Sequence, residues 1–245
     1  MNEARPMPPH IVASFDADLQ KLSALVIDMG AKVGSQIERA AQALQTRNAE
    51  MAREIVEADK TIDGQQARIE DTVIQMIAKR QPVAIDLRET IATLKIATDL
   101  ERMGDLAKNN AKRVLALSAQ PQPAGVGANL DALSEKVSDQ LTQVMQAYAR
   151  RDKESAHAVW SSDGEIDTLH TALFRELLTY MMEDPRSIGY CAHLLFCAKN
   201  LERIGDHATN IAENVHYIAT GKFLSGDRPK GPNPSNDRPS GTSTD

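Results

Sequence analysis

Pairs of acidic side chains four residues apart are the most chemically suggestive feature of this chain. That spacing places two carboxylates on one face of a helix, about one turn apart, where their like charges repel each other. Oxygen ligands from clustered carboxylates and amides suit a hard divalent or trivalent cation, and a bound cation would offset the repulsion. We therefore predict metal sites, with Mg, Mn, Fe or Zn as the candidate ions. The candidate ligands are Asp59, Asp63, Glu101, Asp105, Asn109, Asp163, Asp167, Glu202, Asp206 and Asn210.

The candidate ligands occur in two copies. Leu-Glu-Arg-Met-Gly-Asp at 100–105 returns as Leu-Glu-Arg-Ile-Gly-Asp at 201–206, and eight of sixteen positions agree between the segments that contain these motifs. An Asp-x-x-Ile-Asp pattern is likewise found at 59–63 and at 163–167. Because both copies of a duplicated module must fold alike, we predict one acidic cluster in each half of the chain.

Apolar residues recur every three or four positions through most of the chain, which is typical of amphipathic helices. The pattern predicts six helices, three in each half, with Asn48 and Asp152 as helix caps. Short turns make neighbouring helices antiparallel, so we predict an all-α fold of two tandem antiparallel three-helix bundles. The predicted organisation is a flexible N-terminus at 1–10, a first bundle at 11–118, a Pro- and Gly-rich linker at 119–129, a second bundle at 130–220 and a disordered tail at 221–245.

Turn residues predict which acids meet in space. An antiparallel hairpin brings residues at equal distances from its turn to the same height. Pro82 lies 19 residues from both Asp63 and Glu101. It also lies 23 residues from both Asp59 and Asp105. In the second half the separations from the equivalent proline differ by one residue, which is about 1.5 Å along a helix. We therefore expect four acids at one level in each half.

Composition excludes several classes of protein. The chain has 28 Lys and Arg against 34 Asp and Glu, a net charge of −6. No basic stripe could neutralise a phosphate backbone, so we expect no nucleic-acid partner. The first ten residues lack a secretory signal, and no segment is apolar over the roughly 18 residues that span a bilayer, so we expect a cytoplasmic protein. Cys191 and Cys197 face about 120° apart on a helix, which favours buried free thiols.

Other interpretations of the acidic residues remain open. The acids could be solvated helix faces, or Arg102 and Arg203 could neutralise them across helices, in a structural interaction protein that binds no metal. No nucleophilic triad or glycine-rich phosphate loop is present, so we predict that the protein is not an enzyme. A carboxylate-bridged metalloenzyme would nevertheless use Glu-x-x-His pairs. Such pairs are Glu154 with His157 and Glu213 with His216.

Four further stretches carry a specific pattern. They are Arg-Gln-Pro-Val-Ala at 80–84, Asp-Leu-Arg at 86–88, Leu-Lys-Ile-Ala at 94–97 and Asp-Leu-Glu-Arg-Met-Gly-Asp at 99–105. Together with Asn109, these stretches resemble the signature of the PhoU family of phosphate-signalling regulators, over about 11–220. The resemblance implies two three-helix bundles, each with a Glu-or-Asp-x-x-x-Asp pattern that binds metal ions or multinuclear clusters. Here that pattern falls on Glu101 with Asp105 and on Glu202 with Asp206.

The resemblance also implies a function. It implies a non-enzymatic negative regulator of the bacterial phosphate-starvation response. Such a regulator is an adaptor between the ATPase of a phosphate-specific ABC transporter and a membrane sensor histidine kinase. We also expect a homodimer that reaches the membrane only through its partners. The second half departs from the pattern at Asn200, where the first half has Asp99, so the two metal sites could differ in affinity or nuclearity.

Overall fold

Every long element in the described part of the chain is an α-helix, as predicted. The computed structural model describes residues 9–83, 85–121 and 126–224. A single 3-10 turn, Pro185–Ser187, precedes the last helix. The helices are α1 (Pro9–Thr46), α2 (Ala49–Arg80), α3 (Ile85–Leu117), α4 (Ala128–Arg150), α5 (Lys153–Ser161), α6 (Asp163–Glu183) and α7 (Ile188–Thr220).

Local signals in the sequence set the helix ends. The Asn48 side chain accepts a hydrogen bond from the Met51 N–H at 3.0 Å, which caps α2. Asp152 accepts hydrogen bonds from the N–H groups of Glu154 and Ser155 at the start of α5. Both predicted caps are therefore confirmed, and they satisfy amides that have no partner within the helix.

The predicted fifth helix is divided at Ser162 into α5 and α6. The Ser162 hydroxyl donates to the carbonyl of Val159 at 2.9 Å, and its backbone N–H reaches the carbonyls of Ala158 and Val159. A serine hydroxyl that bonds to a carbonyl of the preceding turn competes with the regular helical pattern, so the helix ends and restarts here. The second bundle thus consists of α4, the divided pair α5 and α6, and α7.

The two bundles share one core through α3 and α7. Buried apolar side chains form a single cluster that includes residues from both halves. The Asn200 amide donates to the Asn110 side chain at 2.8 Å, and the Asn210 amide donates to Asp99 at 3.4 Å. Residue numbers rise along α3 as they fall along α7 in these contacts, so the two helices are antiparallel.

Some sequence predictions fall on residues that the structure does not describe. The N-terminus predicted to be flexible lies outside the described residues except for the start of α1, and so do the centre of the predicted linker (122–125) and most of the predicted tail (225–245). The first residues of the predicted tail are described. Gly221 ends α7 in the left-handed region at φ 75°, and the Phe223 ring stacks on Tyr217 with 4.3 Å between centroids.

The structure also bears on the predictions about membrane-spanning segments and about the two cysteines. Among the described helices, none combines the length and the apolar character needed to cross a bilayer. Cys191 and Cys197 are both buried and form no disulfide, as predicted. Burial raises the pKa of the Cys197 thiol to about 12, so this thiol stays protonated and unreactive.

Candidate metal centre

Three carboxylates meet between α2 and α3. Asp59, Asp63 and Asp105 each bring an oxygen within 4.8 Å of the other two. It is the only such group of three carboxylate, imidazole or thiol side chains within residues 9–83, 85–121 and 126–224. The register set by the α2–α3 turn explains the meeting, because that turn lies equally far from Asp59 and Asp105. We call Asp59, Asp63 and Asp105 the first acidic cluster.

Asp59 is the buried member of the first acidic cluster, at 2% exposure. Its Oδ1 accepts a hydrogen bond from Nε2 of Gln36 on α1 at 2.8 Å. The same amide nitrogen donates to the carbonyl of Gly104 at 3.0 Å. A Cβ at position 104 would stand 3.2 Å from Ile62 Cδ1 and 3.5 Å from Asp59 Oδ1. The mid-helix glycine therefore lets α3 approach the aspartate closely, at a cost of about 1 kcal/mol in helix propensity.

Lys108 supplies a positive charge to the first acidic cluster. Its ammonium group donates hydrogen bonds to Asp59 Oδ2 and to Asp105 Oδ1. Partial burial disfavours the charged amine, but the bonds to Asp105 and Asp59 outweigh it and raise the pKa of Lys108. Sequence reasoning missed this residue and considered Arg102 instead. Lys108 lies three residues after Asp105 on the same helix face, and this spacing could have predicted the ion pair.

Glu101 lies beside the first acidic cluster. Burial, together with the negative charges of Asp105, Asp63 and Asp59, raises the pKa of Glu101, although Arg102 opposes this. The Arg102 guanidinium is 3.7 Å from the Glu101 carboxylate and is itself mostly exposed. The structure thus brings together four of the predicted ligands in the first half. Asn109, the fifth, is exposed one turn further along α3.

The second half arranges its acids differently. Asp163 is buried and accepts a hydrogen bond from the Thr209 hydroxyl at 3.0 Å. Thr209 occupies the repeat position of Lys108, so a neutral hydroxyl stands where the first half has an ammonium. Gln140, at the repeat position of Gln36, is buried with neither amide atom hydrogen-bonded to a described residue. Asn210, predicted as a ligand, directs its amide to Asp99 on α3.

The Glu202 side chain in the second half is largely enclosed, at 14% exposure. Burial raises the pKa of Glu202, and the charges of Asp206 and Asp167 act in the same direction. The Lys199 ammonium opposes this rise, at 2.7 Å from the Glu202 carboxylate. Three of the predicted second-half ligands, Glu202, Asp206 and Asp167, are therefore close enough for their charges to interact.

The raised pKa of Glu202 predicts a pH-dependent stability difference. Because the folded-state pKa lies above the ordinary value, the folded protein binds this proton more tightly than the unfolded chain does. The ionised side chain is thus unfavourable at neutral pH, and the penalty disappears as pH falls through the raised pKa. We expect Glu202→Gln to raise the Tm of chelator-treated protein near pH 7.5, with the difference from wild type narrowing by about pH 5.

Thermal unfolding at the two pH values measures this effect. Glu165→Gln is the control, because Glu165 carries an exposed carboxylate on the same bundle. A Glu202→Gln variant less stable than wild type near neutral pH would contradict the assignment of burial and acidic neighbours as the dominant influences.

The Glu-x-x-His pairs do not assemble a metalloenzyme site in the described residues. Glu213 accepts a hydrogen bond from the indole N–H of the buried Trp160 at 3.1 Å. The His157 ring lies 3.3 Å from the Ser161 hydroxyl. No group of three metal-ligating side chains forms at this place in the described residues. The Glu213 and His157 side chains instead interact with Trp160 and Ser161.

His207 is a residue to which sequence reasoning assigned no partner. Its Nδ1 lies 2.9 Å from the Asp99 carboxylate on α3, so the pair links the two halves of the chain. The two residues are more than one hundred positions apart. No local spacing could have revealed their contact.

The first acidic cluster fits a hard cation. Its three carboxylates supply only oxygen ligands, as such ions prefer, and the Lys108 ammonium shows that a positive charge is favourable at this place. These residues therefore could hold a metal ion.

The fold and the site define an all-α tandem repeat whose halves each carry acids on an inner hairpin. Residues 26–114 and 130–215 each match the PhoU domain. The chain therefore belongs to the PhoU family.

Named relatives and solved structures resemble the chain over most of its length. A Rhizobium meliloti protein named phosphate-specific transport system accessory protein PhoU homolog is 47% identical over 221 residues, covering 90% of this chain and 93% of the relative. The Escherichia coli K12 phosphate-specific transport system accessory protein PhoU is 35% identical over 214 residues, covering 87% and 88%. The crystal structure of PhoU from Pseudomonas aeruginosa superimposes with a TM-score of 0.82 at 34% identity, covering 85% of this chain and 100% of that one.

Proposed function

We propose that this protein is a metal-binding negative regulator of the phosphate-starvation response. In this proposal it is an adaptor between the ATPase of a phosphate-specific ABC transporter and a sensor histidine kinase, and it has no catalytic activity of its own. The observation that carries the proposal is the match of both halves to the PhoU domain, with relatives named as accessory proteins of phosphate-specific transport.

The metal part of the proposal is supported by the first acidic cluster. Asp59, Asp63 and Asp105 would hold the cation, with Glu101 beside them. A bound cation would supply the positive charge that quenches the repulsion between these carboxylates. In the second half we propose Glu202, Asp206, Asp167 and Asp163 as the metal ligands. Asn109 in the first half and Asn210 in the second would be outer ligands of the two sites.

The adaptor part is supported by exposed apolar side chains at two ends of the molecule. Val83 and Ile85, each 63% exposed, flank the start of α3. Met182 and Ile188, 77% and 48% exposed, flank the start of α7. Because α3 and α7 are antiparallel and each about 50 Å long, these two patches lie at opposite ends. Exposed apolar patches are typical of protein interaction sites, and two separated patches suit a bridge.

The proposal includes location and assembly. We propose a cytoplasmic homodimer that associates with the membrane only through its two partners. Sedimentation equilibrium of the purified protein tests the dimer directly, and a mass equal to that of one chain at micromolar concentration would reject it.

Capture of the transporter ATPase and of the kinase, with and without chelator, tests the metal-dependent adaptor. We expect Glu101→Ala combined with Glu202→Ala to reduce capture by at least about tenfold while helicity is retained, because one carboxylate at or beside the metal is lost from each half. The matched control is Glu57→Ala combined with Glu154→Ala, which removes one exposed carboxylate from each half. Intact capture and intact phosphate repression in the first double variant would reject the metal role.

A structural interaction protein without metal is the second candidate. The Lys108 ammonium within the first acidic cluster favours it, because this chain already carries a cation for two of the carboxylates. Elemental analysis of protein purified without added metal separates the candidates. A stoichiometric transition metal or magnesium content supports the regulator that binds metal, and its consistent absence supports the second candidate.

A further inference from the structure

Three carboxylate oxygens of the first acidic cluster already accept hydrogen bonds. Asp59 Oδ1 accepts the hydrogen bond from Gln36, which leaves Oδ2 as the oxygen open to another ligand. Lys108 donates to that Oδ2 and to Oδ1 of Asp105. A metal ion that bound Asp59 through Oδ2 would need an oxygen that Lys108 already contacts, and Lys108 also occupies one of the two oxygens of Asp105.

The other half of the chain provides a natural comparison. At the repeat position of Lys108 stands Thr209, whose hydroxyl donates to Asp163 Oδ1 and also lies 3.2 Å from the carbonyl of Gly205. A hydroxyl carries no charge, so it satisfies a hydrogen bond without neutralising a carboxylate. The difference between the halves is therefore one of charge as well as size.

The Lys108 side chain is able to leave the first acidic cluster. It is 20% exposed, while the Asp59 side chain that it contacts is 3% exposed. A lysine ammonium on its flexible four-carbon stem can turn into water at the surface while its stem stays against the protein. The aspartate has no such freedom, because the Gln36 bond and the close approach at Gly104 fix it.

We propose that Lys108 is a tethered counter-cation that holds the first acidic cluster and competes with a divalent cation for Asp59 Oδ2 and Asp105 Oδ1. The inference rests on the proposed metal-binding function. Cation binding then requires Lys108 to leave, and its positive charge becomes exposed on the surface of α3. The cluster thereby converts cation binding into a change of surface charge.

Calorimetric titration with Mn2+ tests the competition in the full-length chain. The titrations use a protein that also carries Glu202→Ala and Asp206→Ala. These substitutions remove two candidate ligands of the second half, so that the Mn2+ binding measured is that of the first acidic cluster. In that background we expect Lys108→Thr, the residue type that the second half uses, to lower the Kd for Mn2+ by at least about tenfold. The matched control is Lys112→Thr, which removes the same charge from an exposed position one turn along α3 and should change the Kd by less than about twofold.

A second measurement uses stability. In chelator, Lys108→Thr should lower the Tm relative to Lys112→Thr, because Asp59 loses its buried counter-charge, and Mn2+ should restore it. Lys108→Gln, which keeps a hydrogen-bond donor, gives the same comparison if Lys108→Thr does not fold in chelator. Equal Mn2+ affinity in the Lys108 and Lys112 variants overturns the competition and leaves the metal site standing. Absence of Mn2+ binding in both overturns the competition and the proposed metal site together.

Discussion

Asp59→Ala should lower the free energy of unfolding of the chelator-treated protein by about 2–3 kcal/mol. The variant removes the buried acceptor for Gln36 and for the Lys108 ammonium, and it leaves a small cavity beneath Gly104. It should also abolish measurable Mn2+ binding by the first acidic cluster. Chemical denaturation in chelator gives the stability change, and calorimetric titration gives the affinity.

Asp63→Ala is the matched control for this prediction. Asp63 belongs to the same cluster and lies one turn along the same helix, but it is exposed. Its replacement should leave the unfolding free energy within about 0.5 kcal/mol of wild type and still weaken cation binding. An equal loss of stability in both variants would show that burial does not distinguish the two aspartates.

Gly205→Val should destabilise the protein by about 2–3 kcal/mol. A Cβ at this position would lie 2.7 Å from Ile166 Cδ1 and 3.3 Å from Gln140 Oε1. Both neighbours are buried, so they cannot move aside without disturbing the core between α4, α6 and α7. The branched side chain would therefore separate α7 from the helices that carry Asp163 and Gln140. Denaturant unfolding followed by circular dichroism measures the change.

Gly64→Val provides the comparison for a glycine without close neighbours. Beyond its own stretch of helix, no atom of the described residues lies within 4 Å of a Cβ built at Gly64, which is exposed in the middle of α2. We expect a change within about 0.5 kcal/mol, because valine and glycine differ little in helix propensity. A Gly205→Val variant as stable as Gly64→Val would refute the interpretation that the glycine exists for close helix packing.

The fold and the first acidic cluster were predictable because both depend on local rules. Helical periodicity and turn residues locate the helices, and the position of Pro82 then sets the heights of Asp59 and Asp105 in the hairpin. The meeting of Asp59, Asp63 and Asp105 follows from this register. Caps at Asn48 and Asp152 were predictable for the same reason.

The counter-charge from Lys108, and its replacement by the Thr209 hydroxyl in the second half, were not predicted. Which cation contacts the carboxylates depends on how α3 is rotated against α2, and sequence spacing alone offered Arg102 as readily as Lys108. The link between His207 and Asp99 joins two halves that are remote in sequence, so only tertiary packing determines it. The break at Ser162 reflects a side-chain bond to the backbone that competes with a strong helical pattern.

The antiparallel contact of α3 with α7 is nearly reciprocal: Asp99 meets Asn210, and Asn200 meets Asn110. Two halves related by such approximate twofold symmetry have similar surface shapes, as the two subunits of a dimer do. A ligand that recognised surface shape alone would bind in two orientations. Unlike side chains at equivalent positions, such as Lys108 and Thr209, remove this ambiguity, so the two halves of the molecule present chemically distinct surfaces.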